Sequence, residues 1–287
     1  MNHCKLFLRG IAAFLLLVAS SVAADAPTLT FKFTDVSFPG AAGTSVYGLN
    51  DSGVMVGQYY DSSGVFHGFK LDHGKGTTID DPKGTGTLCA GINSSGAIVG
   101  QYTDPSGDNH GFLYQNGKFT DLSPEPLSGA SGINDKGDIV GGMAECQFCQ
   151  QHGYLYNGHT YKKLDVPGAM QTGAGSINNA GVITVIAPDN NDRYHSYLYR
   201  SGKYMEIKVP GAYESFAEQI NNVGDIVFTW NSKTDKYDHS ALRHNGHFYK
   251  FNRAKNVDTL AFGVNDHHLL VGDYFGVGVS GAFKATF

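Results

Sequence analysis

The sequence predicts an all-β protein, a six-bladed β-propeller, and three observations carry that prediction. A segment of about 43 residues recurs six times, anchored by Asn50, Asn93, Asn134, Asn178, Asn221 and Asn265. Each copy alternates short apolar runs with Asn/Gly turn signals, and no helical periodicity runs through it. The last copy stops one strand short, and the piece it lacks stands at the other end of the repeats, at Phe31–Val36.

Before the repeats, Met1–Ala24 has the form of a secretory signal peptide. Lys5 and Arg9 supply positive charge, Ile11–Val18 is apolar, and Val22-Ala23-Ala24 offers small residues for cleavage. Such a segment is too short to span a membrane stably. Residues 25–30 read as a short linker, and 31–287 as one domain.

Within a copy, a residue such as Leu49 or Ile92 precedes the Asn, and Gly follows three positions after it. His268 replaces that Gly in the sixth copy. Asn-x-x-Gly between apolar runs predicts a tight hairpin, with Asn closing a side-chain turn and Gly at positive φ. The next run, for example Ala97-Ile98-Val99-Gly100, is apolar throughout and therefore predicts a strand covered on both faces. A variable loop leads to His110-Gly-Phe-Leu-Tyr114 or a relative of it. Second hairpin signals follow at Asn116-Gly117, Asn157-Gly158, Ser201-Gly202 and Asn245-Gly246. A fourth strand ends near Pro82, Pro167 or Pro210, each eleven residues before the next Asn. Each unit is thus a meander of strands A, B, C and D. Phe31–Val36, with Pro39 at the same offset, supplies strand D of the sixth unit, closing the ring and removing its open edges.

The run GINSSGAIVGQYTDPSGDNHGFLYQNGKFTDLSPEPLSGASGIN resembles the bacterial extracellular HAF repeat. That repeat has a Gly-Ile-Asn hairpin, a Val-Val-Gly strand, His-Ala-Phe-Leu-Trp, a Gly turn and an Asp-Leu strand. The likeness covers about Phe31 to Phe287, with His-Gly-Phe or His-Gly-Tyr in place of His-Ala-Phe and Tyr in place of the Trp. Copies four and five depart further, with Val185 and Phe228 where Gly is expected. The resemblance implies a similar fold and export, and no activity.

Composition narrows the partners. A net charge of −5 with no basic cluster argues against nucleic acid and anionic membranes. Aromatic residues at 12% and charged residues at 16% belong to a folded chain. After the leader three cysteines remain. Cys146 and Cys149 are a candidate disulfide, which leaves Cys89 as a buried thiol. His67, His110, His152, His195 and His239 recur at one strand position. Whole blades separate them, so they are expected to serve packing and hydrogen bonding between blades rather than one shared ion. Asp104 with Asp108, and Asp189 with Asp192, are too few ligands for a calcium cage. No metal and no cofactor are expected.

The meander puts A–B and C–D turns on one face and the longer, divergent B–C and D–A loops on the other, where a ligand is expected. Six residues before each Asn stands a hydroxyl: Thr44, Thr87, Ser128, Thr172, Ser215 and Thr259. Two readings compete for these residues. In one they ring the channel mouth and bind a ligand. In the other each bonds backbone in its own turn. Glu218 is acidic where the other copies are neutral, but no partnering carboxylate or nucleophile sits at a recognisable spacing. The reading that follows is a secreted or periplasmic, monomeric, non-catalytic scaffold binding an extracellular carbohydrate or protein. The alternative is an extracellular propeller hydrolase or lyase with its active site at the channel mouth.

Overall fold

The computed structural model describes residues 28–122 and 125–287. The expected signal peptide and the first part of the linker lie outside the described residues. Six four-stranded antiparallel sheets, each in the order A-B-C-D, make a closed six-bladed propeller. In the first blade the strands are Gly43–Leu49, Met55–Tyr60, Phe66–Asp72 and Lys75–Thr78. The sixth blade takes Asp258–Val264, Leu269–Gly276 and Val279–Thr286, then Lys32–Val36 as its outer strand. Lys32 opposite Thr286 through Val36 opposite Ala282 runs without a register break, so the split repeat closes the ring.

Blades stack face to face, and the B strands lie between neighbours. Val56, Val99, Val140, Thr184, Val227 and Val271 hold one B-strand position in the six blades, and all are fully buried. Phe69, Phe112, Tyr154 and Phe283 cover strand B from strand C and are equally buried. This is why strand B is apolar on both faces. Cutting one of these phenylalanines to Ala would cost about 3–5 kcal/mol.

The turns follow the expected chemistry with one exception. Asn116-Gly117, Ser201-Gly202 and Asn245-Gly246 have both residues at positive φ. At Asn157-Gly158 only the Gly does; there the Asn157 side chain accepts from His159 N and Thr160 N, making a wider turn. The first blade uses His73-Gly74, at φ 48° and 89°, where the sequence carries no Asn signal.

Two features of strand A shape the axis. All six A strands shift register around the residue three positions before the Asn, which makes a β-bulge there. Below it the Asn side chains form a continuous ring. Asn50 Nδ2 donates to the carbonyl of Asn93, Asn93 to Asn134, Asn134 to Asn178, Asn178 to Asn221, Asn221 to Asn265, and Asn265 back to Asn50, at 3.0–3.3 Å. Each Asn Oδ1 meanwhile accepts the N–H four residues on, as at Val54, Ala97 and Val182. One side chain therefore sets its own turn and ties its blade to the next. Outside this ring, Asp135, Asn179, Asn222 and Asp266 each donate a backbone N–H to the next blade's side-chain oxygen, ending at Asp51.

Candidate functional site

The bulges decide what faces the channel. The residues they push inward are Tyr47, Ala90, Ser131, Gly175, Glu218 and Phe262, and all six line one cavity of about 330 Å³ on the axis. The cavity is lopsided, with small residues from blades two to four and large ones from blades five, six and one. Tyr47 and Phe262 stand with ring centroids 5.4 Å apart. Phe216 adds a third aromatic wall and is itself stacked on Tyr194 at 5.2 Å. Gln151, at the end of a B–C loop, and Ser131 supply hydrogen-bonding groups.

Below, the aliphatic residues directly before each Asn narrow the axis. Ile92, Ile133 and Ile177 border both this cavity and a much smaller one of about 50 Å³ at the Asn ring. The larger space is therefore a pocket with an aliphatic floor, on the side of the B–C and D–A loops.

Glu218 is the sole carboxylate among the lining residues. Its Oε1 accepts from Thr229 Oγ1 at 2.8 Å. Burial pushes it up to about 7, and the single hydroxyl bond offsets little of that. Asp273 is raised to about 7 as well, by burial first. It sits in the wall between blades six and one, where its Oδ1 accepts from Val46 N at 3.2 Å. It does not line the pocket. A glycoside-cleaving pair would place a second carboxylate opposite Glu218, and the lining offers none.

The six hydroxyls follow the second of their two readings, bonding nearby backbone, in every blade but the fifth, and the ring on the channel does not form. None of Thr44, Thr87, Ser128, Thr172, Ser215 and Thr259 lines the axial pocket, and all but Thr44 are buried. Thr44, Thr87, Thr172 and Thr259 each accept the backbone N–H six residues earlier, from Phe38, Asp81, Val166 and Arg253, at 2.9–3.0 Å. Ser128 donates to the carbonyl of Leu122 and accepts from Gly111 N, both at 3.0 Å, while Ser215 meets Ser196 Oγ. Five of them thus pin the end of strand D or the D–A loop onto strand A, and Ser215 ties its strand A to strand C of the fourth blade. The physical reason is the two-residue period of a strand. These residues share a face with Val46, Cys89, Ala130, Ala174, Ala217 and Ala261, two positions on, which are core.

The recurrent histidines bond within a blade rather than between blades. His67 bridges Asp80 (2.7 Å) at the end of its blade and Asp61 (3.6 Å) in its B–C loop. His195 bridges Glu206 and Asp189 in the same way. The hydrogen bond and charge of Asp80 raise His67, while the backbone N–H groups of Val65 and then Ser63 hold Asp61 below the usual carboxylate range. Asp61, Asp104 and Asp189 each cap their own loop by accepting two N–H groups. In the third blade Cys146 and Cys149 form a disulfide in the corresponding B–C loop, and Cys89 is a free buried thiol.

No family model and no curated protein matches the chain. Among solved structures, it is similar to a putative TolB from Agrobacterium tumefaciens, with TM-score 0.59 at 11% identity over 85% of this chain and 90% of that one. It is also similar to the β-propeller domain of the Trilobed protease from Pyrococcus furiosus, with TM-score 0.56 at 8% identity over 85% and 82%. The Aleuria aurantia lectin, solved in complex with Fucalpha1-6GlcNAc, gives TM-score 0.53 at 12% identity over 85% and 93%. At such identities the likeness establishes the propeller fold. No helix among the described residues is long and apolar enough to cross a membrane.

Proposed function

We propose that this protein is an exported, non-catalytic binding scaffold that receives a carbohydrate in its axial pocket. The observation that carries this reading is the lining: aromatic faces from Tyr47, Phe216 and Phe262 on one side, and Gln151, Ser131 and Glu218 as hydrogen-bonding groups. A sugar offers both an apolar C–H face, which an aromatic ring covers, and hydroxyls, which amide and carboxyl groups engage. The pocket volume falls at the lower end of small-ligand sites, roughly 300–1,000 Å³. That suits a sugar unit better than a protein surface, and the lectin's fold is compatible with it. Export is supported by the pattern of residues 1–24 and by the Cys146–Cys149 bridge, which belongs to an oxidising compartment. The resemblance to the HAF repeat is part of the same reading.

A glycan and cell-wall polysaccharide array probed with the wild type and with Tyr47→Ala/Phe262→Ala tests it. The expected result is a bound glycan whose affinity falls at least tenfold in the variant. Absence of any glycan bound, or one bound equally by both proteins, overturns the reading.

A further inference from the structure

On the face opposite the pocket, three side chains from two blades converge. Asp225 follows the A–B turn of the fifth blade, His244 ends that blade's C strand, and His268 sits in the A–B turn of the sixth. One ligand atom from each lies within 4.8 Å of the other two. We propose that Asp225, His244 and His268 bind a first-row divalent cation of the zinc class, as a clip between blades five and six.

The donor set comes first. Two imidazoles and one carboxylate, with a fourth position left to water or ligand, is a set that suits zinc. Asp225 is buried, and its Oδ1 already meets His244 Nδ1 at 2.8 Å. The surrounding bonds are those a metal site uses to fix its ligands. Asn221 Nδ2 reaches Asp225 Oδ2 at 3.3 Å, and Asn245 Nδ2 lies 2.9 Å from His244 Nε2. On metal binding at Nδ1 the His244 proton moves to Nε2, and a flip of the Asn245 amide turns its oxygen to accept it. Ligand atoms about 2.0–2.1 Å from a tetrahedral ion lie roughly 3.3 Å apart, so the exposed His268 ring has to swing inward. The ring is exposed, and it rests against His244 and Phe287 with ring centroids at 5.4 and 4.8 Å.

The second argument is where the sequence departs from its own repeat. The His268 position is Gly53, Gly96, Gly137, Gly181 and Gly224 in the other five copies, all at positive φ. His268 takes the same conformation, at φ 61°, which an L side chain adopts only against a steric penalty. His244 stands where the other C strands have Asp72, Gln115, Asn157, Arg200 and Ala285. The two unmatched histidines come from different blades, yet they meet at one buried carboxylate.

The variant His268→Gly restores the residue that five blades use, so it folds at least as well as the wild type without metal. Calorimetric titration of the untagged full chain with Zn²⁺ is expected to show one equivalent bound, weakened at least tenfold by His268→Gly. At a hundredfold excess over the wild-type dissociation constant, Zn²⁺ raises the wild-type Tm by about 5 °C and that of the variant by no more than about half as much. Co²⁺ in place of Zn²⁺ gives the wild type a visible d–d absorption that the variant lacks. Failure of the wild type to bind Zn²⁺, or binding that survives His268→Gly undiminished, overturns the proposal.

Discussion

Replacing Asn178 by Ala breaks the axial ring at one link, and the structure sets the size of the effect. The side chain donates to the carbonyl of Asn221 at 3.0 Å and accepts from Ala180 N and Val182 N at 3.1 and 3.0 Å, in a buried position. Each bond contributes about 1 kcal/mol net, and the abandoned carbonyl adds the cost of an unmet buried acceptor, so the loss is about 3–4 kcal/mol. Urea unfolding followed by the fluorescence of Trp230, the single tryptophan, measures it. Asn157→Ala is the control, because Asn157 makes a similar side-chain turn on an exposed loop where water replaces the lost bonds. Its cost should stay below about 1 kcal/mol. A ring has no end, so Asn265→Ala, which cuts the link to Asn50, should cost as much as Asn178→Ala. If Asn178→Ala proves no worse than Asn157→Ala, the ring is an ornament of the turns and the reasoning fails.

Four further outcomes are expected. Thr87→Val with Thr172→Val should lower stability by about 2–3 kcal/mol in the same assay, because two buried N–H groups lose their acceptors, and should leave glycan binding unchanged. Glu218 has a folded-state pKa of about 7 against 4.5 unfolded, so its contribution is full below pH 4.5 and is lost as pH rises to 7. Glu218→Gln should therefore gain stability over the wild type at pH 9, by at most about 3 kcal/mol and less where channel water solvates the carboxylate, and should converge on it at pH 4. Denaturant midpoints across that range would show parallel curves if the argument is wrong. Reducing Cys146–Cys149 should cost about 2 kcal/mol as judged by Tm. A thiol reagent should find Cys89 unreactive until the protein unfolds, since burial pushes its thiol far up; rapid labelling of the native protein would contradict that.

The repeat was legible because its anchors are chemical. An Asn that must cap a turn and a Gly that must take positive φ cannot drift far, so six copies and a split blade could be counted by eye. Loop faces followed from the meander alone. The hydroxyl ring shows where such reading stops short. Position along a strand is visible in a sequence, and its face is visible too once the apolar residues two places on are consulted, since Cys89 shares a face with Thr87. The pocket lining was less accessible, because a β-bulge decides it. Tyr47 and Phe262 look like ordinary alternation until the bulge turns them inward. Histidine pairing was misassigned for a related reason. The acids that hold His67 and His195 lie a loop away in the same blade, and spacing alone does not reveal the fold of a loop. His268 stood out in the sequence as a departure from the turn Gly, Asp225 and His244 did not, and only the neighbouring of blades brings the three together.

The sixth blade joins residues from opposite ends of the chain by the same pairing that elsewhere joins a hairpin. A circular permutant linking Phe287 to Phe31 through an Asn-Gly turn, and opened instead in the exposed loop at Ser232–Asp235, would keep every blade and trade the distant pairing for a local one. Lower contact order should make that rearranged chain fold faster at unchanged architecture. The seam that locks the circle should then be the slowest stitch in making it.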